Sequence, residues 1–83
     1  MEYMGWKTRI VVDSAVLAGK PVIKGTRLSV EFLLDLFAQG WHEKQVLDNY
    51  PQLTAEDLQA VFAFASFCLK DEEFMTLKHV TAA

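Results

Sequence analysis

The ten residues AGKPVIKGTR at positions 18–27 hold two glycines, a proline, two lysines and an arginine. Cationic heads at a tight turn can meet phosphate oxygens, and a hydroxyl or backbone N–H groups can add neutral donors. The chemistry this pattern suggests is nucleic-acid contact through Lys20, Lys24, Thr26 and Arg27. A structural reading competes with it, in which Gly25 satisfies the turn and the charged heads are solvated. A nucleotide-hydrolysing phosphate loop is excluded by spacing. That motif needs a lysine directly after its second glycine, whereas Gly25 is followed by Thr26 and Arg27. A dinucleotide fingerprint is also absent.

A second group of candidate base and phosphate contacts is Lys44, Gln45 and Asn49, in the short segment HEKQVLDNY. Other chemistry is poorly supported. His42 and His79 lie far apart with a single thiol, Cys68, so no metal-ligand spacing exists and no disulfide can form within one chain. Cys68 sits on an apolar stripe without a basic neighbour and reads as a packing residue. Asp13, Asp35 and Asp48 fall on separate elements and define no acid–base pair. No cofactor, metal site or enzymatic activity is expected.

Charge is distributed unevenly. The net formal charge is −3, but residues 1–27 carry +3 and residues 28–83 carry −6. A basic front section on an acidic body can present one positive face. The N-terminal MEYMGWKTR contains an acid and no apolar run, so no leader is expected, nor is any apolar stretch long enough to span a membrane. A cytoplasmic protein is the expectation. The chain is 52 % hydrophobic, rich for 83 residues that bury only roughly 60–65 % of their unfolded surface. That surplus predicts association, with a homodimer as the simplest form.

The elements that must position the candidate residues follow from local pattern. RIVV (9–12) and PVIK (21–24) read as two paired strands, with DSAVLAGK between them as a loop or a single helical turn. Ser29 can cap a helix carrying Val30, Leu33, Leu34 and Phe37, which Gly40 terminates. Residues 42–50 give a short helix with Val46, Leu47 and Tyr50 inward, and Pro51 ends it. Thr54 opens the longest helix, with Glu56 and Asp57 at its positive end. Leu58, Val61, Phe62, Ala65, Cys68 and Leu69 form one apolar stripe, and Ala60, Phe64 and Phe67 a second that is predicted to face another subunit. The fold class is α+β, mostly α: a short N-terminal β-hairpin and a trihelical, helix-turn-helix-like bundle. Residues 1–8 read as an extension, 9–70 as the domain and 71–83 as a tail.

GKPVIKGTR, followed at the right distance by YPQLT and an alanine-containing helix, resembles the small bacterial family called domain of unknown function 433. The resemblance runs from about Arg9 to Leu69. It covers Gly19, Lys20, Pro21, Gly25, Thr26, Arg27, Gly40, Tyr50 and Pro51, and departs at Trp41–His42, where relatives carry a small hydroxyl residue. It implies a helix-turn-helix-like fold, often dimeric. It also implies the antitoxin half of a toxin–antitoxin pair, acting beside a PIN-like ribonuclease toxin.

The functional expectation is an antitoxin-type regulator that binds such a toxin, with operator DNA as a further ligand. Phe64, Phe67, Phe74, Met75 and Leu77 are the expected dimer or partner contacts, and Asp71, Glu72 and Glu73 the expected cover for a basic toxin surface. Glu56 and Asp57 make the first turn of the long helix a poor reader of DNA, which leaves the basic turn or the 43–49 helix. The alternative is a dimerisation or adaptor module without nucleic-acid binding.

Overall fold

The computed structural model describes residues 3–70. A 3-10 helix, Tyr3–Thr8, leads into strand β1 (Ile10–Val11). A 3-10 turn at Leu17–Gly19 precedes strand β2 (Val22–Ile23). Helices α1 (Val30–Ala38), α2 (Glu43–Asn49) and α3 (Ala55–Leu69) follow. The architecture is a small antiparallel hairpin followed by three helices. No helix among the described residues is long and apolar enough to cross a membrane.

β1 and β2 pair antiparallel with Ile10 opposite Ile23 and Val11 opposite Val22. The far edge of β2 is also used. Ile23 N–H donates to the Leu28 carbonyl at 3.0 Å, and Val22 bridges Ser29. The chain therefore folds back on β2 immediately after the Lys24–Arg27 tip. Val22 and Ile23 are buried, as central strand residues should be.

Helix boundaries have local causes. Ser29 Oγ accepts from Phe32 N–H at 2.9 Å and caps α1. Gly40, with φ +97°, takes the left-handed step that ends it. At α3, Thr54 Oγ1 accepts from Asp57 N–H at 3.1 Å. Asp57 Oδ2 in turn accepts from Thr54 N–H at 3.0 Å, a reciprocal capping box built with aspartate in place of the usual glutamate.

The core gathers Ile10 and Ile23 of the hairpin, Val30, Leu33 and Leu36 of α1, Val46 of α2, Leu53, and Leu58, Ala60 and Val61 of α3. Three expectations about α3 are corrected here. Phe62, Cys68 and Leu69 are not core: Phe62 is 48 % and Leu69 54 % exposed, and Cys68 is exposed too. A helix this short cannot bury every apolar position against a single thin layer. The side carrying Ala60, Phe64 and Phe67 meets this chain's own Trp6. The indole lies 4.9 Å from the Phe64 ring and 5.3 Å from the Phe67 ring, centroid to centroid. Trp6 thus packs on the flank expected to face another subunit, where Phe67 stays 44 % exposed.

Candidate nucleic-acid and protein interfaces

The basic tip is built as a four-residue turn. Thr26 N–H donates to the Ile23 carbonyl at 3.0 Å. Gly25, at φ +82°, occupies the third position, where a type II turn demands a positive φ. No atom lies within 4 Å of where a Cβ on Gly25 would stand, so the requirement is conformational and not one of space.

The tip consumes most of its own donors. Thr26 Oγ1 donates to the Ile23 carbonyl at 2.8 Å and accepts from Leu28 N–H at 3.0 Å. A hydroxyl has one proton to give, and in this conformation Thr26 gives it to the Ile23 carbonyl. Lys24 N–H donates to the Arg9 carbonyl at 2.8 Å. What the tip offers outward is the Lys24 ammonium and the Arg27 guanidinium, both on exposed residues. Neither has a carboxylate partner among the described residues.

The remaining cationic candidates differ. Lys20 Nζ lies 3.0 Å from Glu31 Oε1, and Lys44 Nζ lies 3.0 Å from Asp48 Oδ2. Both pairs are exposed and contribute little stability, but each sets a negative charge where a phosphate would have to approach. Gln45 Oε1 accepts from His42 N–H at 2.8 Å, holding the start of α2, while Asn49 Nδ2 donates to the Gln45 carbonyl at 2.8 Å. The Lys44–Gln45–Asn49 group is thus largely engaged with its own helix.

One ion pair joins the N-terminal segment to the start of α3 and has no local sequence signature. Arg9 Nη1 donates to Asp57 Oδ1 at 3.0 Å. Asp57 is buried and turns inward, so the first turn of α3 presents Glu56 as its outward acid. The cue available in the sequence was a buried-spacing carboxylate inside a T-x-x-D box. Its partner lies too far away in the chain for any local pattern to find.

A shallow depression of about 100 Å³ lies against α3, lined by Phe37, Glu43, Ala55, Leu58, Gln59 and Phe62. It is well below the roughly 300–1,000 Å³ that encloses a small-molecule ligand. Among the described residues no group of three or more His, Cys, Asp or Glu side chains is placed to hold a metal ion. The expected contacts Phe74, Met75 and Leu77, with the acidic run at 71–73, lie outside the described residues.

A two-stranded hairpin with a doubly used second strand, followed by three helices and tipped by two exposed cations, defines a small α+β class of protein. Within that class, residues 10–65 match the family described as protein of unknown function, DUF433. The chain belongs to that family. It resembles the crystal structure of a DUF433 member from Anabaena variabilis, with a TM-score of 0.69 and 28 % identity over 94 % of this chain and 73 % of that one. An uncharacterised protein of Archaeoglobus fulgidus is 70 % identical over 23 residues, which are 28 % of this chain and 64 % of that relative's length.

Proposed function

We propose that this protein is an antitoxin-type regulator that works by protein association, with a PIN-like ribonuclease toxin as partner and operator DNA as a secondary ligand. The observation that carries the reading is the outer side of α3, where Phe62 and Leu69 stand about half exposed. Apolar groups left in water on a small soluble domain mark a surface for another protein. The Lys24–Arg27 tip supports the DNA component, since two exposed cations with no carboxylate partner among the described residues can neutralise phosphate. The reading assigns no catalysis. From the sequence, the tail residues Phe74, Met75 and Leu77 extend the apolar contact, and Asp71, Glu72 and Glu73 cover a basic RNA-binding surface on the toxin.

The test is co-expression with a PIN-like ribonuclease of the same host, followed by measurement of nuclease inhibition. Inhibition lost on Phe62→Glu or on deletion of residues 71–83 supports the reading, while a nuclease indifferent to the protein sinks it. The second reading is an adaptor module without nucleic-acid binding. The pairing of Lys20 and Lys44 with carboxylates and the internal use of the Thr26 hydroxyl favour it. Binding to duplex DNA at several salt concentrations separates the two, because phosphate contacts release counterions and weaken steeply with salt.

A further inference from the structure

All three helices contribute to one shallow hollow. Phe37 comes from the last turn of α1, Glu43 from the first turn of α2, and Ala55, Leu58, Gln59 and Phe62 from α3. Leu58 is buried beneath it. The Phe37 and Phe62 rings stand 5.0 Å apart at 53° and form an aromatic wall. Ala55 has too small a side chain to fill the space. The volume of about 100 Å³ equals about three waters at roughly 30 Å³ each. That is the bulk of one side chain.

The polar members of this hollow have nothing to bond to within their own domain. Glu43 and Gln59 are exposed, and neither makes a hydrogen bond or ion pair to a described residue. Their neighbours on α2 are engaged: Gln45 Oε1 accepts from His42 N–H, and Lys44 is paired with Asp48. An apolar wall thus stands beside a carboxylate and an amide that are both open to an incoming group.

That combination suits an arginine. Its methylene stem can lie on Ala55 and Leu58 while the charged head stays at the rim. The planar guanidinium can stack on the Phe62 ring and fork onto the Glu43 carboxylate, with the Gln59 amide oxygen as a further acceptor. Lysine shares the stem but has neither the stacking plane nor the fork. A nucleic acid is disfavoured, because Glu43 repels phosphate. One side chain on so shallow a surface needs support from a wider contact. Leu69 supplies it, exposed and seven residues beyond Phe62, about 10 Å further along α3 at the helical rise.

We propose that the hollow between α1, α2 and α3 receives an arginine side chain of the partner protein, with Glu43 as its counter-ion and Phe62 as its stacking face. The inference deepens the reading of the outer side of α3 as a protein-association surface and rests on it. It does not require that the partner be a nuclease. Phe62 and Leu69 give area, and Glu43 gives the choice of residue.

The test titrates the isotope-labelled full chain with a short alanine-based helical peptide that carries one central arginine and a leucine one turn away. The expected result is binding tighter than about 1 mM, with amide shifts concentrated at Glu43, Ala55, Gln59 and Phe62. Citrulline in place of the arginine, or Glu43→Gln in the protein, weakens it by about 5-fold, the upper range for a partly exposed ion pair. Glu43→Arg abolishes binding of the arginine peptide and restores binding to a peptide with glutamate at that position, a swap that misfolding cannot imitate. Shifts centred elsewhere, equal affinity for the citrulline peptide, or a charge swap without rescue overturn the proposal. So does stronger binding by a Lys78→Ala protein, which would mean that the chain's own tail fills the hollow. A PIN-like nuclease inhibited equally by wild-type and Glu43→Gln protein, with no peptide bound, removes the arginine site and leaves the association reading standing. Peptide binding with a nuclease that ignores the protein removes the nuclease alone.

Discussion

Arg9 and Asp57 meet at 3.0 Å although 48 residues separate them. The same carboxylate caps α3 through Thr54 N–H. One buried side chain therefore fixes both the start of the longest helix and its attachment to the residue preceding β1. The Arg9 side chain is 40 % exposed and that of Asp57 only 11 %, so solvent screens the guanidinium and the loss falls mainly on the carboxylate.

Asp57→Asn keeps shape and removes charge. It is expected to lower stability by about 1–2 kcal/mol, and Asp57→Ala by about 2–3 kcal/mol, since the latter also breaks the capping box and strands Thr54 N–H. Arg9→Ala costs less, about 1 kcal/mol, because its charge is partly solvated. Urea denaturation of the three variants orders them. An Arg9→Ala protein less stable than Asp57→Ala would contradict the asymmetry.

The Trp6 indole is half-buried between two phenylalanine rings, and its buried Nε1 finds no hydrogen-bond partner among the described residues. Trp6→Ala is expected to cost about 2–3 kcal/mol, at or below the usual range for truncating a large aromatic because the site is incompletely enclosed. Trp6→Phe keeps ring contact and removes the unmet donor, so its cost stays below about 1 kcal/mol. Thermal melts of the pair decide whether packing or the N–H dominates.

Leu17 and Ala18 both have positive φ, 49° and 57°, ahead of Gly19 at 84°. A non-glycine residue pays roughly 1–2 kcal/mol for that conformation. Ala18→Gly relieves it and is expected to stabilise by about 0.5 kcal/mol net, after the extra freedom glycine gains in the unfolded chain. Gly25→Ala imposes the same penalty at the tip and lowers stability by about 1 kcal/mol. Chemical denaturation should give the two changes opposite signs.

Lys24→Ala and Arg27→Ala leave stability within about 0.5 kcal/mol, as exposed substitutions do. Each should reduce the salt slope of DNA binding by about one, while Lys20→Ala and Lys44→Ala reduce it less. Equal slopes for all four variants would remove the distinction drawn from the Glu31 and Asp48 pairs.

The legible parts of this fold were those decided within a few residues. Ser29 as a cap, Gly40 as a stop and Thr54 as the opening of α3 need only neighbouring chain, and the structure has all three. The β1–β2 pairing follows from two β-branched runs joined by a short loop. What escaped involves contact between distant segments. The return of Leu28 and Ser29 to β2 has no local signature, because a single bridge leaves no periodic pattern. Trp6 lies in a stretch with no strand or helix pattern, and only its partners on α3 give it a place. The candidate site divided the same way. Exposure of Lys24 and Arg27 could be read from the turn, whereas the neutralisation of Lys20 by Glu31 required knowing where α1 begins in space.

Because Ile23 and Leu28 close the hairpin by backbone bonds, and Gly25 and Thr26 hold its bend, positions 24 and 27 contribute nothing to that closure through their side chains. They are two adjustable letters on a fixed page. A chain of this design can trade them for other chemistries and keep its hydrophobic interior, so divergence of binding preference among such proteins can proceed without any remodelling of the scaffold.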